Sequence, residues 1–137
     1  METEGVPTRM KLSALWAVVM FNMAFADIVG FLHPGALQNV LDGAVGLEAT
    51  PGLLLVFSVL IEVPIAMVFL SLVLSPAANR WTSTLAVVLT AAFIVGGGSA
   101  TSSYVFFAAV ELAAMAGVLL ISWQGSRTVA PVRRVSS

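Results

Sequence analysis

The chain of 137 residues is 59% hydrophobic and 9% charged, with a net charge of -1 and a mean hydropathy of +1.02. Soluble domains carry roughly 25% charged residues, so this composition excludes a soluble globular protein and describes an all-α integral membrane protein with little mass outside the bilayer. With no cysteine and a single histidine, His33, it also excludes disulfides, thiolate chemistry, Cys-ligated metal and covalent haem, and no cofactor or metal is expected.

Residues 1–11 read as a polar lead, with Pro7 ahead of the first helix and Arg9 and Lys11 at its mouth. No short apolar stretch there ends in a small-residue cleavage site, so it is not read as a signal peptide. The first span covers about 12–32 and carries Asn22 and Asp27; His33-Pro34-Gly35 stops it, because Pro34 disfavours helix at the residue before it. A long loop follows, in which Ala36 to Leu41 has the makings of a short interfacial helix ahead of the glycine-punctuated DGAVGLEATPG.

The second span, about 52–74, is an unbroken apolar run with Glu62 near its middle and Pro64 two residues on. A charged side chain at that depth costs on the order of 3 kcal/mol, and a helix-interior proline frees a carbonyl and bends the helix. Two such penalties within one turn mark a candidate site; the plainer reading is an acid bonded to a neighbouring helix, with Pro64 setting a packing angle. The connection SPAANR is tight, so the third span, about 81–95, should run antiparallel beside the second and end in Gly96-Gly97-Gly98. The fourth span covers about 102–123, and residues 124–137 read as a basic flexible tail. The domain is thus a four-helix transmembrane bundle over 12–123.

All six basic residues fall on one side of this arrangement: Arg9 and Lys11 before the first span, Arg80 between the second and third, and Arg127, Arg133 and Arg134 after the fourth. The positive-inside rule places that side in the cytoplasm, with both termini, in the cell (inner or plasma) membrane. Trp16, Trp81 and Trp123 lie toward the same face, as an aromatic belt would.

Counting inward from the opposite ends of the spans, Asn22, Glu62 and Glu111 each lie roughly 15 Å deep at about 1.5 Å per residue, which is near the midplane. Asp27, Ser58 and Tyr104 form a second layer a turn or more above, and Thr90 lies between. Ser58 is four residues before Glu62 and Tyr104 seven before Glu111, so each pair shares a helix face. The zone holds three acids and no Lys, Arg or His. Ionising all three in hydrocarbon is costly, so part of the set is expected to keep its proton near neutral pH while a neighbour accepts one. The competing reading is neutral acids that hydrogen-bond helix to helix. Ala113, Ala114, Ala116 and Gly117 give the fourth span a small-residue face suited to close packing within the chain or in a homo-oligomer. His33 reads as an interfacial helix end, Asn79-Arg80-Trp81 as a lipid-headgroup anchor, and nothing resembles a nucleic-acid site.

Phe25-Ala26-Asp27-Ile28 before Pro34-Gly35, Glu62-Val63-Pro64-Ile65-Ala66-Met67, Leu70-Ser71, Asn79-Arg80-Trp81, and Tyr104 with Phe106-Phe107 ahead of Glu111 resemble a family of small bacterial four-span membrane proteins known only as a domain of unknown function. That resemblance covers most of the chain from Lys11 to Trp123 and implies no activity. From the residues themselves, the leading expectation is an enzyme performing protonation-initiated isomerisation or cyclisation on a lipophilic small molecule. Glu62, Glu111 and Asp27 would be its acid–base groups, and Asn22, Ser58, Tyr104 and Thr90 would contact substrate. The alternatives are a proton-coupled transporter of a lipophilic cation and a noncatalytic membrane subunit. The chain has no visible inverted repeat, which disfavours transport by a single copy.

Overall fold

The structure, a computed structural model, describes residues 6–43, 50–97 and 100–124. The first five residues, most of the glycine-punctuated loop, Gly98 with Ser99, and the basic tail lie outside the described residues. Four long helices, α1 (Thr8–Phe31), α3 (Pro51–Val73), α4 (Pro76–Gly96) and α5 (Ser102–Gln124), are each long and apolar enough to cross a membrane. The chain is therefore a multi-pass membrane protein. A one-and-a-half-turn helix, α2 (Ala36–Leu41), follows α1.

The helices form a closed ring in which α1 packs against α5 and α3, and α4 closes the far side by touching both α3 and α5. Sequence neighbours run antiparallel. Arg9, Lys11 and Arg80 lie at one end, called here the basic end; α2 and the α4–α5 connection lie at the other, the loop end.

Local chemistry explains the boundaries. Pro34 and Gly35, the latter in the left-handed region at φ 80, turn the chain out of α1 into α2. Thr50 caps α3, its hydroxyl accepting the Leu53 amide at 3.2 Å with Pro51 at the first helical position. Ser75 does the same for α4, accepting the Ala78 amide at 3.4 Å ahead of Pro76. As a result α4 begins at Pro76, and the six-residue connection read from the sequence shrinks to Leu74 and Ser75. The Ser-Pro pair starts a helix here as well as ending one. Similarly, α1 begins at Thr8, directly after Pro7 and inside the stretch read as a polar lead.

The core is a column of interdigitated side chains: Leu12, Trp16, Val19 and Met23 from α1, Met67 from α3, Ala86 and Val87 from α4, Met115 and Val118 from α5. Trp16 has no exposed surface, so it belongs to this core and not to the expected aromatic belt. The belt is Trp81 and Trp123, whose rings meet edge to face at 5.7 Å, with the Arg80 guanidinium 4.8 Å from the Trp123 ring. On α5 the small-residue face divides: Ala114 and Gly117 turn inward, where a Cβ on Gly117 would sit 3.4 Å from Leu15, while Ala113 and Ala116 face outward. Close approach of α1 and α5 uses the inward half.

Candidate functional site

The inner stripe of α1, Leu12, Trp16, Val19 and Met23, recurs at helical spacing and sets the rotation of that helix. Asn22, beside Met23, is thereby turned toward α5. Its amide donates one hydrogen to the Phe107 carbonyl at 2.8 Å and another to Glu111 Oε1 at 3.0 Å. Phe107 and Glu111 are one turn apart on α5, so a single side chain grips both rungs. Glu111 is only 3% exposed. A carboxyl so placed is oriented by Asn22 and shielded from water by the bundle.

Glu111 forms the bottom of a cleft of about 90 Å³, lined by Met23 and Asp27 from α1, Phe93 and Ile94 from α4, and Tyr104. A second cleft of about 330 Å³ lies above it toward the loop end and shares Ala26 and Tyr104 with the first. Its rim includes His33, Asn39 of α2 and Ser103. Tyr104 stands where the two meet, its hydroxyl donating to the Ile94 carbonyl and so tying α5 to α4. At the mouth, His33 Nε2 and Ser103 Oγ lie 3.2 Å apart and join the end of α1 to the start of α5. Asp27 is exposed on the wall of this passage, a turn and a half above Asn22. The floor beneath is dry: Trp16, Val19, Met115 and Val118 are all at most 1% exposed.

Thr90 faces the interior of α4 at 2% exposure, and its hydroxyl has no hydrogen-bond partner among the described residues. Three other helical hydroxyls bond back to their own helix, Ser58 to Leu54 at 2.8 Å, Thr82 to Ala78 at 2.7 Å and Thr84 to Arg80 at 2.8 Å, while that of Ser71, like that of Thr90, has no partner among the described residues. Tyr104 on Ile94 and Trp123 on Thr84 tie α4 to α5 near their two ends.

Asn22, Asp27, Tyr104 and Glu111 thus come together in the loop-end half of the bundle, whereas Thr90 faces the interior but lines neither cleft. Glu62 and Ser58 do not. Both are exposed, on the side of α3 turned away from the other helices. The inner face of α3 is fixed by Pro64, Met67 and Ser71, and Glu62, two residues from Pro64, is rotated roughly 200° from it. Ser58 and Glu62 share a face as the spacing requires, but it is the outer one. The Glu62–Pro64 pair is therefore not one site.

Two polar contacts carry no acid and escape a search for titratable layers. Ser13 Oγ donates to the Val68 carbonyl at 2.8 Å, joining α1 to α3. Asn79, expected at the headgroups with Arg80 and Trp81, is 3% exposed and inside the bundle. Its amide donates to the Ser71 carbonyl at 2.9 Å, and its Oδ1 accepts from Ser83 at 3.3 Å. The repeat Asn79, Ser83, Val87, Thr90, Ile94 on α4 has the spacing of an inner stripe and would have revealed it. A cleft of about 280 Å³ at the basic end, lined by Arg9, Pro76, Asn79 and Ser122, contains no acid.

No curated protein and no solved structure matches the chain. A family model does, over residues 4–129, which takes in the whole of the described bundle: the chain belongs to the family of unknown function DUF6326.

Proposed function

We propose that the protein is a membrane-embedded acid–base enzyme that isomerises or cyclises a lipophilic small molecule entering from the loop end. The observation that carries this reading is a nearly fully buried Glu111, held by Asn22 at the bottom of a cleft whose wall bears a second acid, Asp27. The upper cleft of about 330 Å³ is within the range of small-molecule pockets, about 300–1,000 Å³.

In this scheme Glu111 transfers its proton to one carbon of a substrate double bond, the π electrons forming the new C–H bond. Asp27 removes a proton from an adjacent carbon, and that C–H pair closes the shifted double bond. In a cyclisation, a second double bond first attacks the cation. Protons given and taken balance, and a proton returned from Asp27 to Glu111 restores the site. Asn22 positions Glu111; Tyr104 contacts substrate. Glu62 and Ser58 have no part in the chemistry. The setting is the cell membrane, with both termini cytoplasmic and the cleft open outward. Transport through one chain would need a passage from Glu111 to the basic end, across the layer of Trp16, Val19, Met115 and Val118.

The test needs no known substrate. Protein in vesicles prepared in D₂O is given a panel of alkenes, isoprenoid alcohols and enones, and solvent deuterium entering carbon is read by mass spectrometry. Incorporation should fall by at least about a hundredfold in Glu111→Gln, the usual scale of a general acid's contribution. Equal incorporation in parent and variant would exclude the scheme. Proton-coupled uptake of a lipophilic amine that disappears in Glu111→Gln would replace it with transport.

A further inference from the structure

The outer face of α3 presents a polar group where lipid would otherwise lie. Glu62 is the middle residue of the 23 in α3 and is exposed there. The hydrogen bond Ser13–Val68 sets its depth: Glu62 is six residues beyond Val68, roughly 9 Å toward the loop end, so it sits well inside the hydrocarbon layer. No basic residue lies on α3 to reach it. It also lies at the centre of an exposed line, Leu55, Ser58, Glu62, Ile65, Phe69 and Leu72, whose alternating spacing of three and four keeps one straight seam along the helix. Beside it, at one turn on either side, are the small residues Ser58 and Ala66, which leave room for a helix backbone to approach.

We propose that this seam is an interface between two copies of the chain, with the Glu62 carboxyls meeting across a twofold axis. The choice of occupant follows from the chemistry. A carboxylic acid is both donor and acceptor, so it is complementary to itself, and two copies satisfy each other without a basic partner. Two copies inserted in the same orientation set their α3 helices parallel, and the central position of Glu62 then brings it opposite its twin. The inward seam of α3, with Pro64, Met67 and Ser71, is already filled by the bundle, so pairing leaves the fold and the Glu111 cleft untouched. The inference is independent of the enzymatic reading.

The chain has no cysteine, so single cysteines report cleanly. Full-length protein carrying Leu55→Cys, Phe69→Cys, or Leu85→Cys on the outer face of α4 is placed in phosphatidylcholine–phosphatidylglycerol vesicles and oxidised. Leu55→Cys should cross-link to itself, and so should Phe69→Cys, whereas a Leu55→Cys chain should not join a Phe69→Cys chain, because the two positions lie roughly 21 Å apart along parallel helices. Leu85→Cys should not cross-link. Adding Glu62→Leu should lower the cross-linked fraction and the energy transfer between donor- and acceptor-labelled chains, weakening association about tenfold. Glu62→Gln, whose amide is also self-complementary, should retain most of it. Since leucine suits a lipid-facing position, Glu62→Leu should fold normally, as helix content and melting would verify. Cross-linking of α3 no faster than of Leu85→Cys, or association unchanged in Glu62→Leu, would overturn the proposal.

Discussion

Asn22 on α1 donates to both the Phe107 carbonyl, at 2.8 Å, and Glu111 Oε1, at 3.0 Å, on α5. One amide therefore fixes the register of two helices and the rotamer of the buried acid together. Asn22→Ala should cost about 1–3 kcal/mol, because it removes two interhelical bonds and strands a carboxyl in the core. Glu111→Gln should cost about 1 kcal/mol or less, since its amide oxygen still accepts from Asn22. Chemical unfolding in detergent, followed by circular dichroism, compares the two. Equal losses would mean that the contact does not organise this half of the bundle.

The Tyr104 hydroxyl donates to the Ile94 carbonyl near the end of α4. Tyr104→Phe keeps the ring that separates the two clefts and removes only this tie, at a cost of about 1 kcal/mol. Amide hydrogen exchange should quicken in the last turn of α4 and the first of α5. The α3 helix, which makes no contact with Tyr104, should exchange as in the parent. Faster exchange throughout the chain would contradict a local role.

At the basic end, Asn79 links the Ser71 carbonyl to the Ser83 hydroxyl. Removing it leaves Ser83 without its acceptor, so Asn79→Ala should destabilise by about 1–3 kcal/mol, and Ser83→Ala by about 1 kcal/mol or less. The double variant should cost less than the sum of the two, because the Ser83 bond is already lost in Asn79→Ala. Strict additivity in unfolding free energies would show that the two residues do not interact.

The positive-inside rule predicts an orientation that labelling can test. A cysteine replacing Ala100 should react with a membrane-impermeant maleimide applied to intact cells, and one replacing Ala77 should react only after permeabilisation. The reverse pattern would invert the bundle and place the Glu111 cleft on the cytoplasmic side.

The number and order of the long apolar helices were legible because they depend on running composition and on proline, glycine and serine between the runs. Depth alone brought Asn22 and Glu111 to one level, and the structure joins them directly. Rotation about each helix axis was less legible. Ser58 and Glu62 were correctly paired on a face, yet only the bundle-facing stripe of Pro64, Met67 and Ser71 tells which face is inner, and α3 is so apolar all round that hydropathy cannot single it out. Expecting Pro64 and Glu62 to build one site overlooked that neighbours two apart on a helix point nearly opposite ways. Trp16 was assigned to the membrane surface from its residue type and proximity to the end; its spacing from Leu12, Val19 and Met23 was the stronger signal. The early start of α4 was hidden because Ser-Pro was read only as a stop.

The two-residue junction between α3 and α4 has a mechanical consequence. Leu74 and Ser75 leave no slack, and the Asn79–Ser71 contact rivets the helices immediately above them. Trp123, reaching across to Thr84, fastens α5 to α4 at the same end. Large motions of this bundle should accordingly pivot about the basic end, like the jaws of a clothes-peg about its spring. Their widest excursion falls at the opposite end, farthest from that junction. A molecule reaching Glu111 would be admitted by parting of those jaws, with the His33–Ser103 pair the first contact to give way.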